Sequence, residues 1–207
     1  MKKFFLSLLV ALMAVSAEAQ VTWNVRAGGG ISSLFYDDNG ITAGVRFVVQ
    51  SNIPFTKDGR WMFSPTFSFS IGIGGTREKR SNDFIFPLYI GYKAPIGHNV
   101  IFSPKLGPVF GFRPGKKDTE EMEFVKTGFI AGPSVELSFE IKHFVVAVNG
   151  YYSFVKQKPY DGASLAKVLP EELSDYRMGR LYYYFFRAEH ISEYPLYGAS
   201  LTLGYKF

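Results

Sequence analysis

Tyr197-Gly198-Ala199-Ser200-Leu201-Thr202-Leu203-Gly204-Tyr205-Lys206-Phe207 carries the pattern that decides the fold. Tyr197, Ala199, Leu201, Leu203, Tyr205 and Phe207 share one parity; Gly198, Ser200, Thr202, Gly204 and Lys206 share the other. Successive side chains of an extended strand point to opposite faces, so this segment has one greasy face and one small, polar face. The same alternation runs through Met62–Gly74, where Phe63, Pro65, Phe67, Phe69, Ile71 and Ile73 oppose Ser64, Thr66, Ser68, Ser70 and Gly72. Phe84, Phe86, Leu88, Ile90 and Tyr92 continue it.

Extended over the chain, this period-2 signal predicts eight strands at 21–35, 41–50, 61–74, 83–93, 99–113, 124–140, 143–155 and 195–207. Most reach the roughly 9–11 residues that a tilted membrane strand needs. The expected architecture is all-β, an eight-stranded antiparallel up-and-down transmembrane barrel. With a periplasmic N-terminus, the outer loops are Asp37–Gly40, Gly75–Asn82, Pro114–Glu123 and Lys156–Tyr194. The inner turns are Ser51–Arg60, Ala94–His98 and Ile141–Lys142. A soluble sandwich or lipocalin-like barrel also alternates, but its exposed parity carries charge. Here the polar parity is mostly Gly and Ser, which suits a narrow interior, and the apolar parity is rich in Phe and Tyr near strand ends, as an interfacial girdle requires.

Composition agrees with one domain behind a leader. The 207 residues are 47% hydrophobic, 17% aromatic and 20% charged, with 21 Gly, 21 Phe, 13 Tyr and no Cys, which excludes a disordered chain, a disulfide scaffold and any thiolate site. Met1-Lys2-Lys3, the apolar run Phe4–Val15 and the small-x-small Ala17-Glu18-Ala19 read as a signal peptide, residues 1–19, with the barrel domain at 20–207. Cleavage after Ala19 lowers the formal net charge from +5 to +4. So small and dispersed a surplus gives no basic stripe for nucleic acid.

The lysine-started leader, Val25-Arg26-Ala27-Gly28-Gly29-Gly30 and the terminal Leu201-Thr202-Leu203-Gly204-Tyr205-Lys206-Phe207 together resemble outer-membrane β-barrel proteins of the porin-like, PorT-like group, a Bacteroidota-type barrel. The resemblance spans the mature chain. It implies location in the cell outer membrane, and Tyr205 and Phe207 look like the signal read by the barrel-assembly machinery. It implies little about activity, since fold and function are separable.

If the apolar parity faces lipid, the lumen receives Arg26, Arg46, Lys93, Lys105, Arg113, Lys126, Glu136, Glu140 and Lys206. Eight strands leave an interior just wide enough for side chains. The expectation is therefore a plugged lumen, with Glu136 and Glu140 pairing with cations of neighbouring strands, and a structural or binding role exercised through the outer loops. A narrow selective pore is the transport alternative.

Lys156–Tyr194 is the long outer loop. Leu165, Val168, Leu169, Leu173 and Tyr176 fall at helical spacing, and Pro170 opens a short helix near 170–178. Leu181-Tyr182-Tyr183-Tyr184-Phe185-Phe186 has three readings: an extension of the last strand above the membrane, a cap on the barrel mouth, or an aromatic surface for an envelope or extracellular protein partner. The loop also holds His190 and Ser192 between Glu189 and Glu193, the residue types of an activated serine. This His-x-Ser is similar to that of outer-membrane lipid A deacylases, which implies an enzyme alternative using Ser192, His190 and Glu193. The Asn-Ala-Gly stretch that follows the serine in that family is absent here, so the preferred reading contains no catalytic residue.

No cofactor is expected. His98 and His143 fall at inner turns, far from His190, and no pair has metal-ligand spacing. Asp37-Asp38-Asn39-Gly40 lacks the later glutamate of a calcium loop and reads as a hairpin turn. Gly28-Gly29-Gly30 and Gly72-Ile73-Gly74-Gly75 lack the Lys-Ser/Thr ending of a phosphate loop and mark crowding on strands. Lys116-Lys117 and Glu120-Glu121 read as a solvated loop tip. The chain is expected to be a monomer in contact with outer-membrane lipid.

Overall fold

A computed structural model of the chain describes residues 21–33, 41–73, 82–118, 123–125, 127–157 and 194–207. The leader, the first outer loop and the predicted helix near 170–178 lie outside these residues; the described residues contain no helix.

The strands are β1 (Thr22–Ser33), β2 (Ile41–Pro54), β3 (Trp61–Gly72), β4 (Asn82–Tyr92), β5 (Ala94–Gly97), β6 (Val100–Arg113), β7 (Lys116–Asp118), β8 (Glu123–Val125), β9 (Gly128–Ile141), β10 (Phe144–Gln157) and β11 (Tyr194–Lys206). Eight of them, β1, β2, β3, β4, β6, β9, β10 and β11, form an antiparallel closed barrel in which each strand pairs with its barrel neighbour in the chain. The sheet closes through β1 with β11, where Arg26 faces Gly204 and Gly30 faces Ser200. Beyond that register, the Phe207 amide donates to the Trp23 carbonyl at 2.8 Å and the Trp23 amide donates back at 3.3 Å. None of the eight barrel strands is left as an edge, which is the condition for a sheet in hydrocarbon.

Several boundaries differ from the alternation pattern. β2 runs on to Pro54, because its ladder with β3 continues through Ile53 opposite Phe63, and the first inner turn shortens accordingly. That turn is organised by Asp58, which accepts from the Thr56 hydroxyl at 2.6 Å and the Arg60 amide at 3.2 Å. The Thr56 hydroxyl, followed by the Arg60 amide, holds the Asp58 carboxyl below its ordinary pKa. The last inner turn sits at Lys142–His143, one residue later than expected, because Ile141 pairs with Phe144. The barrel part of the predicted 124–140 strand begins only at Gly128; Glu123–Val125 instead pairs with Lys116–Asp118 as a small ribbon, so the supposed loop tip is partly β.

Burial is inverted relative to a water-soluble protein. Phe154 is 73% exposed, Phe129 66% and Leu106 64%, whereas Arg26 and Glu136 are each 1% exposed and Lys105 2%. Trp23, Trp61, Tyr92, Tyr205 and Phe207 gather at the inner end, with Trp61 edge-on to Tyr92 at 5.2 Å and Tyr205 edge-on to Phe207 at 5.1 Å. Phenylalanines fill the span above, including Phe84 stacked on Phe112 at 4.9 Å and tilted against Phe69 at 4.7 Å. Amphipathic rings at the interface and Phe in the hydrocarbon are the pattern of a membrane wall. A closed eight-stranded sheet with this outer face is an outer-membrane protein.

Inside, tight curvature brings adjacent backbones close at luminal glycines. A Cβ on Gly107 would overlap the Leu88 carbonyl of β4, and one on Gly204 would overlap the Val25 carbonyl of β1. Gly107→Val is therefore expected to destabilise the barrel by about 1–3 kcal/mol, the range for overpacking. Denaturant unfolding in detergent, beside the lipid-facing control Gly29→Val at a site with open space around it, measures this.

Candidate functional site

The barrel turns its charged side chains into one continuous interior, and the strand register decides which of them meet. Lys105 on β6 lies directly opposite Glu136 on β9, and Nζ donates to Oε1 at 2.7 Å. Arg26 reaches across from β1 and donates from Nη2 to Glu136 Oε2 at 2.8 Å. Gln50 on β2 completes the cluster: its amide nitrogen donates to Glu136 at 3.2 Å and to the Thr66 hydroxyl at 2.9 Å, and its carbonyl accepts from Lys105 at 2.6 Å. Glu136 is thus a hub with both oxygens engaged, buried among groups from four strands.

A second pair lies at the outer end. Arg113 donates through Nε and Nη2 to the two oxygens of Asp83 at 2.6 and 3.0 Å, a bidentate contact, and through Nη1 to the Ser33 carbonyl at 2.6 Å. Tyr151 donates to the same Asp83 at 2.8 Å. At the inner end, Lys206 donates to Glu140 at 2.6 Å, with Lys93 half-buried nearby. Between the hub and the outer pair sits Arg46, bound to Asn149 Oδ1 at 2.7 Å and Ser200 Oγ at 3.2 Å.

An apolar layer crosses the interior as well. Ile85, Val109, Ile130, Tyr151 and Leu196 form one buried cluster from β4, β6, β9, β10 and β11. These are luminal residues that parity alone misassigns, because an apolar side chain on the small, polar parity has no signature of its own.

Of the residues singled out in the sequence, Arg26, Arg46, Lys105, Arg113, Glu136 and Glu140 are all buried in the lumen. Lys126 lies outside the described residues, as do Ser192, His190 and Glu193 of the serine alternative. Tyr205 and Phe207 sit on the lipid face of the inner rim, exposed by 42% and 72%. Asp83, Gln50 and Asn149 were missed. Asp83 stands on the luminal parity of its strand, in phase with Tyr89 and Gly91, and that phase was the available signal. His143 stacks on Tyr205 at 5.4 Å in the β9–β10 turn, and His98 is exposed in the β5–β6 turn. Among the described residues no group of three His, Cys, Asp or Glu could hold a metal ion.

No protein-family model matches the chain, and no curated protein matches it in sequence. Solved structures do. Neisserial surface protein A is 9% identical over 90% of this chain and 95% of its own, with a TM-score of 0.50. The outer membrane protein OprG of Pseudomonas aeruginosa is 12% identical over 90% of this chain and 95% of its own, at 0.47. The attachment invasion locus protein Ail of Yersinia pestis is 12% identical over 90% of this chain and 99% of its own, at 0.44. At these identities the likeness is one of fold.

The hub gives a direct stability test. Glu136→Ala leaves Arg26 and Lys105 buried without their carboxylate, and the expected loss is about 3–5 kcal/mol, as for one broken partner of a buried pair. Denaturant unfolding in detergent measures it; an unchanged midpoint would mean that the ion pairs contribute nothing.

Proposed function

We propose that this chain is an outer-membrane barrel whose lumen is closed by its own side chains, and that its specific work, structural or binding, is done at the outer loops, chiefly residues 156–194. The observation that carries this reading is the filling of the interior. The Glu136 hub spans the lumen from β1, β2, β6 and β9, and the Ile85, Val109, Ile130, Tyr151 and Leu196 layer crosses it nearer the outer end. Among the described residues, two cavities bordered by luminal residues measure about 10 Å³ each, room for about one water. A diffusion pore needs a continuous column of water, which belongs to barrels of many more strands.

The resemblance to the porin-like, PorT-like group rests on Val25–Gly30 and Leu201–Phe207, and both segments lie on the strands that close the barrel. Tyr205 and Phe207, exposed on the lipid face, are the residues this reading assigns to the barrel-assembly machinery. With ion pairs consumed inside and lipid around the wall, the loops are the part of the chain left to meet an envelope or extracellular protein, and the barrel needs no second copy to be complete.

Planar bilayer recording of the purified barrel tests the closed lumen. The expected trace is flat, without stepwise openings across the usual voltage range. Reproducible unitary steps in wild type, altered in size by Glu136→Gln, would replace this reading with that of a narrow selective pore.

A further inference from the structure

We infer that the middle of the lumen binds a small monovalent anion of the halide class against the guanidinium of Arg46. Charge balance leads there. Among the described residues, the middle of the lumen gathers Arg26, Arg46 and Lys105, each at most 3% exposed, around the single carboxylate of Glu136. Glu136 has one oxygen on Arg26 and the other on Lys105. Asp83 is held by Arg113 at the outer end and Glu140 by Lys206 at the inner end.

Among the described residues Arg46 meets neutral groups only: Asn149, Ser200 and the face of Tyr151, whose ring centre lies 5.6 Å from the guanidinium carbon. A lysine so placed could shed its proton, but a guanidinium cannot. Buried charge without a counter-charge is strongly unfavourable, so something must supply it.

The surroundings of Arg46 select the ligand. With Thr66, Ser68, Tyr89, Glu136 and Tyr151 it lines a cavity of about 10 Å³. Two buried donors of these lining residues, Arg46 Nε and Ser68 Oγ, have no partner among the described residues. A water molecule could accept from both but would leave the charge in place. A halide accepts from the Arg46 Nε–H and neutralises the charge, and as a single atom it needs less room than any oxyanion. Phosphate, sulfate and carboxylates exceed the space. Glu136 on the same wall does not repel the anion on balance, since Arg26 and Lys105 outweigh its charge.

The test uses the mature barrel purified in zwitterionic detergent. Thermal unfolding is followed at fixed ionic strength in sodium chloride, sodium bromide and sodium gluconate, and crystals grown in bromide are measured at the bromine absorption edge. The expected results are a midpoint about 3 °C or more higher in either halide than in gluconate, as ligand linkage requires; loss of that difference in Arg46→Gln; and an anomalous peak beside Arg46. Equal midpoints in wild type with no peak at Arg46 would overturn the inference, assigning the cavity to water and the counter-charge to an outer-loop carboxylate. A salt difference that persists in Arg46→Gln would overturn it too, by placing the effect at exposed groups. Should Arg46→Gln fail to fold, the position of bromide in wild type decides.

Discussion

A peptide group surrounded by hydrocarbon has no water to bond with, and this one constraint shapes the rest of the molecule. It demands that every ladder be closed, so β11 must return to β1. Closure with eight strands then fixes a narrow interior, which forces neighbouring backbones together at Gly107 and Gly204 and leaves side chains little freedom to choose partners. Finally, one parity of every strand faces lipid, so all charges within the span must be accommodated on the other.

That last demand explains why the interior is organised by ion pairs instead of by apolar packing alone. A carboxylate in the lumen cannot be left to water, and Glu136 meets this by taking Lys105 from the adjacent strand and Arg26 from across the barrel. The pairing couples β1, β6 and β9 through one residue. The apolar layer above it supplies the close packing that ion pairs lack, and Tyr151 joins the two regimes, its ring in the layer and its hydroxyl on Asp83. The described interior therefore combines a buried ion-pair hub with an apolar layer, while the outer wall is apolar.

Much of this was legible in the sequence because period 2 is a direct consequence of strand geometry. The lipid faces of β3 and β11, where Phe or Leu alternates with Ser, Thr or Gly, could be read residue by residue. The luminal positions of Arg26, Lys105 and Glu136 followed from the same parity. What alternation cannot carry is register. That Glu136 takes Arg26 as well as Lys105 depends on barrel closure, a three-dimensional fact with no local trace. Asp83 and Gln50 were passed over because each is the terminal residue of its predicted strand, 83–93 and 41–50, where the pattern is thinnest. Ile85 and Leu196 hid because an apolar residue on a polar parity looks like noise until the barrel is closed. The long outer loop carries no strand alternation, so the serine alternative at His190 and Ser192 stayed a matter of spacing alone.

The pair of bonds between Trp23 and Phe207 has a consequence in time. The first strand of the barrel pairs early with β2 but finds its second partner only in β11, so the longest-range contact in the fold is also the one that closes it. Loop-closure entropy opposes such a contact until the strands between are aligned, and contacts of this separation form slowly. During that interval the chain exposes unpaired strand edges rich in Phe, the condition under which β segments aggregate. A topology that joins its first strand to its last thus leaves the sheet unprotected until that final pairing is made.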